Sequence, residues 1–203
     1  MSKILFFGDS ITAGNKSPDA PLGLSYVSVL ADLLASDTKY EHLQVINSGV
    51  NGHTVQDLID RYEEDVFTVA PDYLVIKIGI NDAYNNYTNG VKAAHLGDYV
   101  RDYDRLISKI KVDLPNTKIH LLTPYFICGS SDDGFYKLMS LYVHSVKAIG
   151  QKHDLEVFNV QEIFDKAVQF IPATSLAPDR IHPGREGHEL IAGYLYEFLG
   201  KTI

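Results

Sequence analysis

Five short segments of this 203-residue chain are almost unbroken runs of branched or aromatic residues: 4–7, 43–46, 73–78, 118–122 and 155–158. A strand that is apolar at successive positions has no face left for water, so it must be covered on both sides. Stretches with apolar residues at helical spacing separate or follow these runs, at 26–34, 55–64, 99–112, 135–153 and 187–199. Strands that alternate with helices pair in parallel, and the crossovers lay the helices on both faces of the sheet. The pattern therefore predicts an α/β chain folded as a three-layer α/β/α sandwich. No Pro/Gly/Ser-rich linker, repeat or low-complexity tract divides it, so residues 1–203 read as one domain.

Charge and composition narrow the partners. With 26 acidic against 18 basic side chains the net charge is −8, which gives no electrostatic footprint for nucleic acid. An apolar share of 45% excludes a disordered chain. No stretch approaches the roughly 18 apolar residues of a membrane span. The lone Cys128 cannot close an internal disulfide, and the first apolar run is too short for a secretory signal, so a cytoplasmic protein is expected.

Ligands of open α/β sheets bind beyond the carboxyl ends of the strands. Three of the four longest irregular stretches, 15–24, 84–94 and 123–134, follow a strand or the first turn after one, and the fourth is 171–183. The first strand runs directly into Gly8-Asp9-Ser10, which puts a hydroxyl at that edge. Far along the chain Asp179 precedes His182 by three residues, close enough for the carboxylate to reach the imidazole. Serine, histidine and aspartate together are the groups of nucleophilic acyl transfer. Donors for a developing oxyanion come from two further strand ends: Gly52, whose N–H can approach a substrate closely, and Asn81, with its side-chain amide. Any one of these elements alone is an ordinary turn or cap. Four in this order, three of them at strand ends, form a constellation.

Gly8-Asp9-Ser10, Gly52, Gly79-Ile80-Asn81-Asp82 and Asp179-Arg180-Ile181-His182 resemble the four blocks of the SGNH hydrolases, the GDSL esterase and lipase family. The resemblance implies a flavodoxin-like sheet of five parallel strands in the order 2-1-3-4-5. It implies Ser10 as nucleophile with Asp179 and His182 completing a triad. It also implies an oxyanion hole made by the Ser10 and Gly52 amides and the Asn81 side chain. No cofactor and no metal belong to that chemistry; the partner is a small-molecule ester.

The family covers many esters, so the substrate has to be read from the pocket. Tyr84, Tyr125 and Phe126, interleaved with amides, are expected to bind it, as suits a sugar or another polar ester. The segments 15–19, 85–89 and 130–133 read as polar loops, poor walls for an alkyl trough. Short acyl esters, acetyl foremost, are therefore expected, carried on a carbohydrate. A lysophospholipase or acyl thioesterase of the same family is the alternative.

Two other classes compete. A metal-dependent phosphoesterase could use Asp9, Asn81, Asp82, Asp179 and His182, but Gly-Ile-Asn-Asp lacks the histidine of such sites and Ser10 would be idle. A sugar-binding module without turnover would have no use for an intact Ser10, Asn81, Asp179 and His182. Asp9 and Asp82 read as caps, and the other seven histidines as surface or core residues, His53 standing out for following Gly52. Neither a dinucleotide fingerprint, nor a P-loop, nor a Gly-x-Ser-x-Gly elbow is present.

Overall fold

A computed structural model describes residues 1–128 and 131–201. Its strands are β1 (Ser2–Gly8), β2 (Leu43–Gly49), β3 (Tyr73–Lys77), β4 (Lys118–Leu122) and β5 (Glu156–Phe158). They form one parallel sheet in the order β2-β1-β3-β4-β5. The helices are α1 (Ser10–Ala13), α2 (Tyr26–Ala35), α3 (Val55–Asp60), α4 (Ile80–Thr88), α5 (Ala93–Asp113), α6 (Gly134–His153), α7 (Val160–Ala167), α8 (Ala173–Leu176) and α9 (Arg185–Leu199). Helices α2 and α9 pack together, while α5 packs against α3, α4 and α6.

Two-sided burial explains why the central strands carry no polar alternation. Ile4, Leu5, Phe6 and Phe7 of β1 and Leu74, Val75 and Ile76 of β3 are all fully buried. Each contributes roughly 1.5–3 kcal/mol of apolar transfer. The register then sets the site, because Gly8 pairs with Gly49 on one side and with Lys77 on the other. Three strands end level, and the chain leaving each one enters the same edge.

Two local expectations are corrected. Residues 84–94 do not form an irregular loop, since α4 and α5 occupy most of them. Asn, Tyr and Thr are weak helix formers, which hid α4. Burial overrides propensity here. Ile80, Ala83 and Asn86 recur every third residue on its buried side, and the Asn86 amide donates to the Tyr142 hydroxyl at 3.2 Å. The helix expected over 55–64 is shorter: α3 stops at Asp60, and a π-helical turn, Glu63–Phe67, follows.

Candidate active site

Ser10 opens α1 directly after β1, and the residue before it fixes the turn. The Asp9 carboxylate accepts the Ile11 N–H at 3.0 Å and lies 3.2 Å from Lys77 Nζ, with both side chains almost completely buried. Burial pushes the Lys77 ammonium down, and the Asp9 carboxylate opposes that shift. Asp9 is thus a cap, as the sequence suggests, and also half of a buried ion pair. Gly8 is required by close approach: a Cβ there would lie 2.4 Å from the Lys77 carbonyl oxygen.

His182 reaches Ser10 from the opposite end of the chain. His182 Nε2 lies 2.9 Å from Ser10 Oγ, and His182 Nδ1 lies 2.7 Å from Asp179 Oδ2. The other Asp179 oxygen accepts the backbone N–H groups of Ile181 at 2.9 Å and His182 at 2.7 Å. Burial works to raise the Asp179 carboxyl, but the hydrogen bonds from the His182 ring and the two amides outweigh it and hold it below its ordinary value. Arg180, inside this turn, takes φ +72°, a left-handed conformation that costs a non-glycine residue strain. The segment after β4 holds the turn there. Ile127 N–H donates to the Arg180 carbonyl at 3.0 Å, and the Tyr125 hydroxyl donates to the Ile181 carbonyl.

Gly52 and Asn81, the expected oxyanion donors, share a cleft with Ser10 and His182. Gly52 has φ +79°, which demands glycine, and open space lies where its Cβ would be. Asn81 spends one amide proton on the His53 carbonyl at 2.8 Å, which leaves the second for a ligand. Arg61 ties this wall to the sheet, donating to the Gly8 carbonyl at 3.0 Å, to Ser48 Oγ at 3.1 Å and to His53 Nδ1 at 3.1 Å. His53 therefore serves through its carbonyl and as an acceptor for Arg61, and its ring is pushed below the ordinary histidine value by burial and by Arg61. Asp82 reaches beyond its own helix: its Oδ1 accepts the Val55 N–H of α3 at 3.1 Å. Its Oδ2 is buried with no partner among the described residues, and burial raises the carboxyl to about 7.

Ser10, Gly52, Asn81 and His182 line one cleft of about 810 Å³. Ile11, Leu24 and Val29 give it an apolar side, and Asn15 of the expected polar loop also lines it. The three aromatic residues expected at the substrate do not line it. Tyr125 and Phe126 are buried, the first bracing the triad turn and the second held at its N–H and carbonyl by Gln161. Tyr84 is exposed on α4 and packs edge-on against Phe135. Asn85 to Asn89 belong to α4 and its end and do not line this cleft, and Ser130 lies outside the described residues. Among the described residues no group of three or more His, Cys, Asp or Glu side chains is arranged to hold a metal ion, and no helix is long and apolar enough to cross a membrane.

Three residues near the site escape the sequence patterns. Lys77 carries a signal in hindsight, a lone charge inside an apolar strand run. Arg61 and His188 carry none, because helical spacing does not reveal which side chain turns toward the sheet edge. His188 lines the cleft.

An acetylxylan esterase from Geobacillus stearothermophilus is 34% identical over 94% of this chain and 90% of its own length. The crystal structure of Axe2, an acetylxylan esterase from the same organism, superposes with a TM-score of 0.87 at 31% identity, covering 97% of this chain and 93% of that one. LAE5, an alpha/beta hydrolase enzyme from the metagenome of Lake Arreo, Spain, gives a TM-score of 0.89 at 30% identity over 98% of this chain and 95% of that one. The GDSL-like lipase/acylhydrolase family model matches residues 6–190. The chain belongs to the GDSL-like lipase/acylhydrolase family and is a carboxylic ester hydrolase.

Proposed function

We propose that this protein is a serine esterase that removes acetyl and other short acyl groups from a carbohydrate, with Ser10 as its nucleophile. The reading rests above all on the unbroken hydrogen-bond chain from Ser10 Oγ through His182 to Asp179, opening into a cleft with Gly52 and Asn81 on its wall. His182 Nε2 takes the Ser10 proton as Oγ attacks the ester carbonyl, and Asp179 steadies the imidazolium. The carbonyl oxygen becomes an oxyanion facing the Ser10 and Gly52 N–H groups and the free Asn81 amide proton. As the tetrahedral intermediate collapses, the bond to the alcohol oxygen breaks and His182 returns its proton to that oxygen. Water, deprotonated by His182, then attacks the acyl-enzyme and releases the acid and free Ser10. No step calls on a metal or cofactor.

The likeness to an acetylxylan esterase supports acetyl as the acyl group and a sugar as the alcohol. The test is a series of p-nitrophenyl esters from acetate to palmitate, run beside acetylated xylo-oligosaccharides with purified protein. The expected result is a kcat/KM that is highest for the acetyl esters. A value that climbs steadily past about eight carbons, as progressive apolar burial would produce, would assign a lysophospholipase or thioesterase instead. Absence of any ester hydrolysis would leave the sugar-binding module.

A further inference from the structure

His188 stands in the first turn of α9, six residues after His182, and its ring lines the cleft with Ser10 and His182. Its Nδ1 accepts the backbone N–H of Tyr26, the first residue of α2, at 3.1 Å. That contact decides the tautomer. A nitrogen that accepts an N–H carries no proton, so the proton of the neutral ring is on Nε2. Burial, aided by Lys77 and His182, lowers this histidine to about 4, so the ring is neutral at ordinary pH. Nε2 meets no acceptor among the described residues, and it is not among their buried polar atoms left without a partner. The wall of the cleft thus holds one N–H whose direction is set by the start of α2 and whose partner is not protein.

The reaction geometry tells which part of a substrate passes it. The acyl oxygen belongs with Gly52 and Asn81, and the alcohol oxygen must lie near His182, which protonates it on departure. His182, Pro183, Arg185 and His188 form the wall on that side. Building on the esterase reading, we propose that His188 is a specificity-determining residue for the alcohol: its Nε2–H donates to a hydroxyl beside the esterified oxygen. The preferred substrate is then the monoacetate of a vicinal diol, the arrangement of a partly acetylated pyranose. A simple aryl or alkyl ester lacks that acceptor.

His188→Asn isolates the donor, because the Asn Oδ1 takes the place of Nδ1 and still accepts the Tyr26 N–H, while nothing replaces Nε2–H. The readout is the ratio of kcat/KM for a methyl xyloside monoacetate with a free neighbouring hydroxyl to that for p-nitrophenyl acetate. The ratio is expected to fall about tenfold, as the loss of one neutral hydrogen bond allows. The matching deoxy monoacetate, without that hydroxyl, should cost the parent enzyme a similar factor and cost the variant nothing further. His188→Ala should lower the same ratio, and the Tm of the Asn variant shows whether the cap survives. Equal slowing of both esters, or an unchanged ratio, would overturn the role of His188 and leave the esterase standing. A parent enzyme that hydrolyses neither ester would overturn the esterase reading and this proposal with it.

Discussion

Ser10 and His182 share a hydrogen bond of 2.9 Å, yet the ground behind each is of a different kind. Behind Ser10 lie Asp9, Thr12 and Lys77, all at 1% exposure or less. The side chains of His182 and Asp179 are 55% and 56% exposed, on a turn between α8 and α9. Ser10 is therefore positioned by the core of the sheet, through an ion pair that cannot be solvated and a glycine that allows no Cβ. His182 and Asp179 are positioned by hydrogen bonds to their turn: two amides onto Asp179, and two donors from the segment after β4 onto the carbonyls of Arg180 and Ile181. One sheet edge thus combines a group whose place is a matter of fold stability with a pair whose place is a matter of local turn geometry.

Substitutions on the two sides should then fail differently. Lys77→Met strands the Asp9 carboxylate in the core, and urea unfolding should show a loss of about 3–5 kcal/mol, the cost of breaking a buried pair. A loss below about 1 kcal/mol would mean that water reaches Asp9 and the buried side is not dry. Asp179→Asn, by contrast, should leave stability nearly intact, because the amide oxygen still accepts the N–H groups of Ile181 and His182. It should lower kcat roughly 10²-fold, less than the ~10⁴-fold cost known for a buried triad aspartate, since water can solvate an exposed imidazolium. A fall of the full 10⁴ would show that substrate closes this side from solvent.

A pH effect concerns Asp82, half-buried next to Asn81. Its carboxyl titrates near 3.8 when unfolded and near 7 in the fold, so the folded state binds the proton more tightly. Its contribution to stability is full below about pH 4 and is lost as pH rises to about 7, at no more than ~1.4 kcal/mol per pH unit. Asp82→Asn should flatten that part of the stability curve. An unchanged slope would assign it to another group.

The sheet is legible in the sequence because two-sided burial leaves runs such as Ile4 to Phe7 with no alternative reading. Strand ends mark themselves too, so Ser10, Gly52 and Asn81 can be placed at one edge before any coordinates are known. The positions that mislead are those where polar or aromatic residues act inward. Asn86 reads as a loop residue and is a buried hydrogen-bonding residue of α4; Tyr125 and Phe126 read as a sugar platform and are buried behind the triad turn. Composition near a site does not say which way a side chain points. His188 shows the converse, since only the N–H of Tyr26, 162 positions away, reveals its tautomer.

The central claim, that Ser10 is acylated during turnover, can be observed directly. Acid-quenching the protein within the first turnovers on p-nitrophenyl acetate, then digesting it and mapping the peptides by mass, locates any acetyl group. Acetyl is expected on Ser10, appearing with a burst of p-nitrophenol and absent from the Ser10→Ala protein. Turnover at the normal rate with no acetyl on Ser10, or with full activity in Ser10→Ala, would contradict it.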